Sequence, residues 1–420
     1  MADENTGGGV VLAADGSPLK VSLNRAMRKN RIRALLLVTP LFVFILFSFL
    51  IPIFDMTMRS VDNWHVGTLM PKTTAALENW DGKNIPDEPV FAALVADLQA
   101  GLKSREIGKV GTRLNYEKSG MRSMITGSAR KSKKIKTGPY KEKVLKMHKK
   151  WSDLETWTVI KRNTSPYTIG YYLNAVDMKY DKKGDIVMQP ENRRIYGKLF
   201  MRTFAISLAI TVICIVLAYP ISYLLATLPL RYSNLLMIFV LLPFWTSLLV
   251  RTTAWIAMLQ SHGVLNDLFV FFGLVDDDHR LQLIHNLTGT IIAMTHILLP
   301  FMVLPLYSVM KTIPPSYMRA ALSLGANPVV AFVRVYMPQT LSGIGAGSIL
   351  VFILSIGYYI TPALVGGTGG TLISNQIAYH MQSSLNWGLA GALGALLLFS
   401  VLALYLLYNK LVGIDNMRLG

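Results

Sequence analysis

The feature that most constrains this chain is a set of six long apolar runs. They are residues 34–54, 203–228, 234–259, 289–310, 341–364 and 387–408. A helix needs about 20 mostly apolar residues to cross a bilayer, and Arg251 is the one Asp, Glu, Lys or Arg in all six runs. Because lipid cannot satisfy backbone polar groups, a spanning segment of this length must be helical. The runs therefore predict an all-α polytopic membrane protein with six transmembrane helices.

Composition favours this prediction over a large soluble protein with an unusually apolar core. Of the 420 residues, 52% are apolar and 16% are charged, whereas an ordinary soluble domain has about a quarter charged residues. The mean hydropathy is +0.40.

The first apolar run is read as a retained membrane anchor. Six basic residues lie between Lys20 and Arg33, directly before residues 34–54. A signal peptide is the alternative, but the run is too long for its apolar region and no small-residue cleavage site follows. The basic cluster predicts a cytoplasmic N-terminal tail, residues 1–33, of which residues 1–19 should be mobile. Six spans then also place the tail 411–420 in the cytoplasm.

Residues 55–198 form a long basic segment that the same topology places outside the membrane. They contain 27 Lys or Arg and 16 Asp or Glu, a net charge of +11 (27 − 16). Residues 88–102 and 140–162 are predicted helices, so the segment is a mixed or helical periplasmic insert. The basic run 129–136 indicates either an anionic partner or a solvated loop. Nucleic acid is excluded as a partner because no recognition motif accompanies the charge.

Several kinds of chemistry are missing from the sequence. There is no phosphate-binding P-loop, since the glycine run 366–370 lacks the lysine, and no H-E-x-x-H or G-x-S-x-G motif is present. The lone Cys214 is read as a small core residue and excludes an intrachain disulfide. These absences predict no catalytic residue, no metal site and no cofactor bound by this chain. The apolar runs also contain no Asp or Glu, which weakens a proton- or sodium-coupled carrier.

Two polar residues inside the runs have alternative interpretations. Arg251 either lines an aqueous cavity or snorkels or caps nearby carbonyls. A polar and aromatic band surrounds it, formed by Trp245, Thr246, Ser247, Thr252 and Thr253. His296 either relays protons or has a hydrogen-bonded packing role, and the packing role is preferred.

The connector at residues 311–340 has the pattern of a short, broken helix. Ser316 is the predicted N-cap after two prolines, and Gly325 is the predicted C-terminal stop. Tyr317, Ala321 and Leu324 form one apolar stripe between them. A helix of about two turns is marginal alone. It must pack on its own bundle as an interfacial helix, or against a partner.

This connector resembles the EAA loop of binding-protein-dependent ABC importer permeases, the type I or MetI-like fold. The family pattern is E-A-A, three residues, G, nine residues, I-x-L-P. This chain has Arg319-Ala320-Ala321, Gly325 and Val335-Tyr336-Met337-Pro338 at the same spacing. The stretches 217–226, 241–259, 263–266 and 357–367 are similar to permeases of the spermidine/putrescine group. The resemblance covers about residues 198–410, and the first span fits as well.

The resemblance implies a permease subunit of the bacterial inner membrane. Residues 199–410 would be a five-helix core. A dimer of separate ATP-binding subunits would hydrolyse ATP. A second permease chain, identical or homologous, would complete the translocation path. A periplasmic solute-binding protein would deliver the solute. The residues that would dock the ATPase are Ser316, Tyr317, Arg319, Ala320, Ala321, Leu324, Gly325, Ala326 and Pro338. The candidates for the translocation path are Tyr219, Trp245, Thr246, Ser247, Arg251, Thr252, Tyr358 and Tyr359.

Two departures from the family leave the substrate open. Arg319 replaces the family's Glu, and the basic insert is longer than the family's usual first outside loop. A polyamine is the first choice of substrate, and another small polar or anionic solute is the alternative. A secondary transporter acting alone and a membrane-anchored assembly protein acting through its insert are the less favoured alternatives.

Overall fold

The computed structural model describes residues 19–182 and 184–412, with side chains described between residues 27 and 410 except at 183. It divides into two compact units, residues 1–58 and 59–420. The predictions that residues 1–19 are mobile and that residues 411–420 form a cytoplasmic tail lie outside the described residues except at Leu19, Leu411 and Val412, which are helical.

The described residues of the N-terminal unit form one long helical segment. It contains α1 (Leu19–Ile45), a π-helical turn (Leu46–Leu50) and α2 (Ile51–Arg59). The stretch Met27–Arg59 is long and apolar enough to cross a membrane. This agrees with the span predicted at residues 34–54.

The insert folds mainly as helices with one small sheet, which agrees with the prediction of a mixed or helical insert. Its helices are α3 (Trp64–Leu69), α4 (Pro71–Glu78), α5 (Glu88–Lys103), α6 (Ile107–Asn115), α7 (Met121–Ser132), α8 (Tyr140–Met147), α9 (Leu154–Arg162) and α10 (Gly170–Ala175). Strands β1 (Met178–Tyr180) and β2 (Ile186–Met188) form a two-stranded antiparallel sheet, with Lys179 opposite Val187.

The insert has a hydrophobic core of its own, built around two tryptophans. Trp151 and Trp157 are fully buried, and the Phe91 ring meets Trp157 edge-on at 4.8 Å between centroids. Trp151 Nε1 donates to Ser128 Oγ at 2.9 Å, and Trp157 Nε1 donates to the Trp151 carbonyl at 2.9 Å. Buried indoles bring a large apolar area and need a partner for their N–H. Because both needs are met, the insert is a packed domain.

One predicted insert helix is confirmed and the other is wrong in extent. Residues 88–102 lie in α5, whose Val90, Leu94 and Leu98 are buried as their spacing predicts. Residues 140–162 do not form one helix, because His148 has an extended backbone and its side chain accepts a hydrogen bond from the Lys150 amide at 3.1 Å. This local cap begins a 3₁₀ turn, Lys149–Ser152, between α8 and α9.

The C-terminal part contains the remaining helices. They are α11 (Tyr196–Thr227), α12 (Leu230–Trp245), α13 (Leu248–Leu259), α14 (Val264–Phe271), α15 (Leu287–Thr312), α16 (Pro315–Ser323), α17 (Pro328–Ala331), α18 (Met337–Gln339), α19 (Leu341–Gly357), α20 (Ile360–Val365), α21 (Ile373–Gln382) and α22 (Trp387–Val412). Short 3₁₀ turns at Glu191–Arg193 and Asp277–His279 and a π-helical turn at Phe332–Tyr336 complete the elements. Among the described residues of the whole chain, four helices are long enough to span a membrane, or up to six if each of two bent pairs is one span.

Two of the six apolar runs are not single continuous helices. The run at residues 234–259 is not one helix: α12 and the segment Leu248–Phe271 meet at 100°. Ser247 begins α13 by accepting a hydrogen bond from the Val250 amide at 3.2 Å, which makes it an N-cap. The run at 341–364 likewise ends its main helix at Gly357, and α20 follows after a break.

Close approach between α15 and α19 depends on glycine. A Cβ at Gly347 would lie 2.6 Å from Met302 Sδ, and one at Gly343 would lie 3.0 Å from Leu306 Cα. Small residues let membrane helices pack with their backbones near each other. Helices α11, α15 and α19 form the centre of the C-terminal helical core, with Cys214 buried among them as predicted.

The insert is attached to the C-terminal helical core by Asp177, which follows α10. Its carboxylate accepts hydrogen bonds from the backbone amides of Ile195, Tyr196 and Gly197 at 3.0, 3.1 and 2.8 Å. These amides belong to the N-terminus of α11, where helical N–H groups have no partner within the helix. A second attachment lies at α22, where Gly388 leaves room for the Tyr171 ring of α10.

Candidate functional site

The short helix of the connector begins two residues earlier than the predicted Ser316 N-cap requires. Pro314 is its N-cap and Pro315 its first residue, so Ser316 lies inside the helix and the prediction of a Ser316 N-cap is wrong. Proline suits this first position because it has no amide hydrogen to leave unsatisfied and its φ is already helical. The helix α16 therefore starts without a side-chain cap.

The predicted stop at Gly325 is confirmed in detail. Gly325 has a φ of +90°, its amide donates to the Leu322 carbonyl at 3.0 Å, and the Ala326 amide donates to the Ala321 carbonyl at 3.1 Å. This pair of bonds is a Schellman motif, which requires a left-handed residue that glycine supplies without strain. Helix α16 is thus a rigid two-turn unit with a defined end.

Most of α16 points away from the rest of the chain. Of the predicted apolar stripe, Ala321 is 7% exposed, but Tyr317 is 50% and Leu324 88% exposed. Arg319 and Ala320 are exposed too. Tyr317 and Leu324 are therefore not covered by the residues that the structure describes, and α16 presents these apolar side chains together with a cation.

The second half of the connector is held to α11 by aromatic rings. Phe332 meets the rings of Tyr219 and Tyr223 edge-on, at 6.0 and 5.4 Å between centroids, and Tyr336 meets Tyr223 at 5.4 Å. The hydroxyls of Tyr219 and Thr340 lie 3.3 Å apart. We call Tyr219, Tyr223, Phe332 and Tyr336 the aromatic cluster.

Pro338 lies in α18, just before the 58° bend into α19. The aromatic cluster precedes this bend and links the connector to α11. The connector is therefore joined to α11 by packed rings and to α19 through α18, and Met318 of α16 packs against the same cluster as Tyr336.

Arg251 caps the end of a helix at the 100° bend. Its guanidinium donates to the carbonyls of Pro243 and Thr246, the latter at 2.9 Å, and Nε lies 3.4 Å from Thr246 Oγ1. These carbonyls end α12, where the helix dipole is negative and carbonyls lack helical partners. Of the alternatives for this charge, the structure supports capping.

The other residues of the polar and aromatic band lie at the same bend. Trp245 is 72% exposed, whereas Thr252 is buried and its hydroxyl lies 3.4 Å from that of Thr361 in α20. The carbonyls of Tyr358 and Tyr359 accept hydrogen bonds from Ser374 Oγ at 2.6 Å and Asn375 Nδ2 at 2.8 Å. These two tyrosines therefore mark a break at the end of α19.

His296 accepts a hydrogen bond at Nδ1 from Trp255 Nε1 at 3.1 Å. This contact is the geometry expected for the packing role. His296 also lines a mostly apolar cavity of about 320 Å³, to which Pro243 and Pro300 contribute. Among the described residues no cluster of His, Cys, Asp or Glu is suited to hold a metal ion.

The predicted path residues lie at three places. Trp245, Thr246, Ser247, Arg251 and Thr252 lie at the bend or just after it. Tyr358 and Tyr359 lie at the break that ends α19, and Tyr219 lies in the aromatic cluster with the connector. The sequence did not identify Tyr223 as a contact of the connector. The signal was its spacing of four residues from Tyr219, which places both rings on one face of α11. The sequence also did not identify Asp177, for which no local signal existed.

The C-terminal half of the chain matches a known family. Residues 218–414 match the family of binding-protein-dependent transport system inner membrane components. The spermidine/putrescine transport system permease protein PotB of Escherichia coli is 33% identical over 213 residues, covering 51% of this chain and 76% of that protein.

Two further relatives were found. The inner membrane ABC transporter permease protein YdcU of Escherichia coli is 33% identical over 230 residues, covering 51% of this chain and 71% of that protein. The molybdenum transport system permease protein ModB of Mycobacterium bovis is 29% identical over 200 residues, covering 47% of this chain and 73% of that protein. The chain therefore belongs to the binding-protein-dependent transport system inner membrane components, the non-catalytic permease subunits of ABC importers.

Proposed function

We propose that this chain is the permease subunit of an ATP-driven importer that takes up a polyamine, spermidine or putrescine, from a periplasmic binding protein. The observation that carries the substrate proposal is the 33% identity to PotB over 76% of its length. In this proposal the chain binds no cofactor, and ATP is bound and hydrolysed by the partner.

The exposed side of α16 would dock into the ATPase. Tyr317 and Leu324 supply apolar contacts, and Arg319 supplies a charge that a carboxylate on the ATPase would meet. Exposed apolar residues next to a charge are typical of a surface that a partner covers. Ser316, Ala320, Ala321, Gly325, Ala326 and Pro338 would shape this docking unit and join it to the next span.

The translocation path would run past the bend between α12 and α13. Trp245 at this bend and Tyr359 at the end of α19 are exposed, and the faces of aromatic rings attract ammonium groups. Thr246, Ser247, Thr252 and Tyr358 would add polar atoms, and Arg251 would keep the bend in place. A second permease chain, which in the polyamine group is usually a related protein, would supply the opposite wall.

The orientation belongs to the same proposal. Both termini would lie in the cytoplasm, because basic residues precede the first span and Lys311, Arg319 and Arg334 lie in the connector. The insert, residues 55–198, would then lie in the periplasm.

An anionic solute is the second candidate. The insert has a net charge of +11, which would repel polyamines within about a Debye length, roughly 8–10 Å. A molybdenum permease is also among the relatives. Both observations favour an anion over a cation.

Uptake into reconstituted vesicles tests the proposal. The chain would be purified with the ATPase and the second permease that accompany it, and labelled spermidine, putrescine, molybdate and sulfate would be offered with the cognate binding protein. We expect ATP-dependent uptake of a polyamine and none with a hydrolysis-deficient ATPase. Uptake of an oxyanion alone would select the second candidate, and uptake without ATP hydrolysis would overturn both.

The docking role of Arg319 has its own test. Arg319→Glu should reduce the amount of ATPase that co-purifies, because it places a negative charge opposite the proposed carboxylate. Arg334→Glu is the matched control, since Arg334 is an exposed cation in the same connector but outside α16. If the ATPase co-purifies equally with both variants and with the unaltered chain, Arg319 makes no specific contact.

A further inference from the structure

A small polar cleft lies in the insert where it joins the permease core. Its volume is about 130 Å³, and its walls come from five parts of the insert. The charged and aromatic residues that line it are Tyr116, Glu117, Arg162, Lys179, Tyr180 and Arg193. A water molecule has a share of about 30 Å³ in the liquid, so the cleft has room for about four waters or one small ion.

The carboxylate in this cleft is already neutralised. Glu117 is 8% exposed, and its Oε1 accepts from Arg113 at 3.1 Å while its Oε2 accepts from Arg162 Nε at 3.0 Å and from Arg162 Nη2. Both carboxylate oxygens are thus occupied by guanidinium groups. Asp177, the nearest acidic residue before β1, is turned to the N-terminus of α11.

Two further cations, Lys179 and Arg193, line the cleft. Lys179 lies on β1 and Arg193 ends the 3₁₀ turn Glu191–Arg193. Within the part of the chain that the structure describes, no Asp or Glu oxygen lies within 4.0 Å of either side-chain nitrogen. The cleft and its back wall therefore carry four cations and one carboxylate.

The remaining walls suit a compact anion. The Arg162 guanidinium lies over the Tyr180 ring at 4.1 Å, which leaves its edge available for hydrogen bonds and holds it in position. Arg113 is similarly held over the Tyr171 ring at 4.7 Å. Guanidinium and ammonium groups in fixed positions are the donors that bind oxyanions and carboxylates in proteins.

The cleft is continuous with the attachment between insert and core. Tyr116, one of its wall residues, donates from Oη to the Leu385 carbonyl just before α22, at 3.3 Å. Strand β1, which carries Lys179, directly follows Asp177 and its bonds to α11. An ion bound here would stabilise the part of the insert that contacts α11 and α22.

We propose that this cleft is a binding site for one small anion with two or more oxygen acceptors, such as phosphate, sulfate or a short dicarboxylate. Lys179 and Arg193 bind its charge, and the free N–H groups of Arg162 orient it. The site is separate from the translocation path and does not depend on the identity of the transported solute.

Equilibrium dialysis of the full chain in lipid nanodiscs tests the proposal. Labelled inorganic phosphate, sulfate and succinate are the probes, at constant ionic strength. We expect one saturable site per chain for at least one probe. The double variant Lys179→Gln/Arg193→Gln should weaken that binding by at least about tenfold, because a lost ion pair in a partly enclosed site typically changes affinity by that factor or more.

The matched control removes the same charge elsewhere in the insert. Lys103→Gln/Lys182→Gln neutralises two exposed lysines outside the cleft and should bind within about twofold of the unaltered chain. If the double variant does not fold, Arg193→Gln alone, at an exposed position of a turn, should still weaken binding several-fold.

Three outcomes would overturn the proposal. They are the absence of saturable binding for all three probes, an equal loss in the control variant, and a stoichiometry well above one per chain. The last two would show that the net charge of the insert, and not the cleft, attracts the ion.

Discussion

Helix α11 is held near its N-terminus by a carboxylate and in its C-terminal half by aromatic rings. At the first end, Asp177 accepts three backbone amides within 3.1 Å. In the second region, Phe332 and Tyr336 of the connector meet Tyr219 and Tyr223. The 32 residues between Tyr196 and Thr227 make this helix about 48 Å long, so one element joins the insert to the connector.

The two kinds of attachment differ in how they respond to movement. Charge-assisted hydrogen bonds are short and directional, and breaking them leaves buried polar groups unsatisfied. Aromatic edge-to-face contacts tolerate a range of distances and angles at small cost. We therefore expect the insert to move with α11 as one body, whereas the connector can shift against α11 during the transport cycle.

The largest expected effect comes from removing the carboxylate. Asp177→Ala leaves three amides at the start of α11 without their partner and places alanine at a φ of +59°. We expect the chain to lose about 3 kcal/mol of stability, measured as the shift in denaturant unfolding, and the insert to become sensitive to protease.

Asp177→Asn is the matched variant for this test. Asparagine tolerates a positive φ and keeps one acceptor oxygen, so its loss should be about half as large. Equal stability of Asp177→Ala and the unaltered chain would mean that the carboxylate does not hold the two parts together.

The aromatic end should give a smaller change in stability and a larger change in transport. Phe332→Ala removes the ring that touches both Tyr219 and Tyr223. Because Phe332 is only partly buried, we expect a loss of about 1–2 kcal/mol, below the usual cost for a fully buried phenylalanine.

The number of solute molecules taken up per ATP hydrolysed distinguishes the aromatic cluster from the Asp177 attachment. It should fall several-fold in Phe332→Ala and recover partly in Phe332→Leu, which keeps most of the volume. A variant that transports normally while ATPase activity is unchanged would exclude the aromatic cluster from coupling.

Two glycines allow backbone strain to be compared at two places. Gly325 ends α16 with a φ of +90°, and Gly273 follows α14 with a φ of +68°. A Cβ added to either glycine would meet no atom of the described residues within 4 Å. Alanine at each position costs about 1–2 kcal/mol of local strain. We expect Gly325→Ala to reduce ATP-driven uptake and Gly273→Ala to leave it close to normal, as measured in the same vesicles. Similar losses in both would point to stability and not to docking.

The smallest effect concerns pH at the insert end of α11. His380 Nε2 lies 2.9 Å from Tyr196 Oη and Nδ1 lies 2.8 Å from Ser384 Oγ. Burial lowers the pKa of His380 below its usual value of 6.5. Since the unfolded chain then binds the proton more readily, this histidine contributes stability above about pH 6.5 that is lost as pH falls through the lowered pKa.

Unfolding midpoints between pH 7.5 and 5 check this sign. His380→Gln should remove part of the decline at low pH and leave the remainder, to which His65 also contributes because burial lowers its pKa. A variant with the same pH dependence as the unaltered chain would show that His380 does not contribute.

Local patterns in the sequence determined a large share of this protein. The apolar runs, the helix at residues 88–102 and the stop at Gly325 follow from run length, from a spacing of four residues and from one glycine. Each of these depends on residues close together in the chain, so composition and spacing are sufficient to predict it. The resemblance to permeases rests on such a local pattern as well.

Only the tertiary structure decided how distant residues meet. Asp177 caps α11 from 18 to 20 residues away, and Tyr223 meets Phe332 across more than 100 residues of sequence. Arg251 caps α12 at a 100° bend within a run that the hydropathy pattern predicts as one span. These contacts depend on the unsatisfied groups at helix ends and on the fit of packed faces, and neither leaves a periodic signal in the sequence.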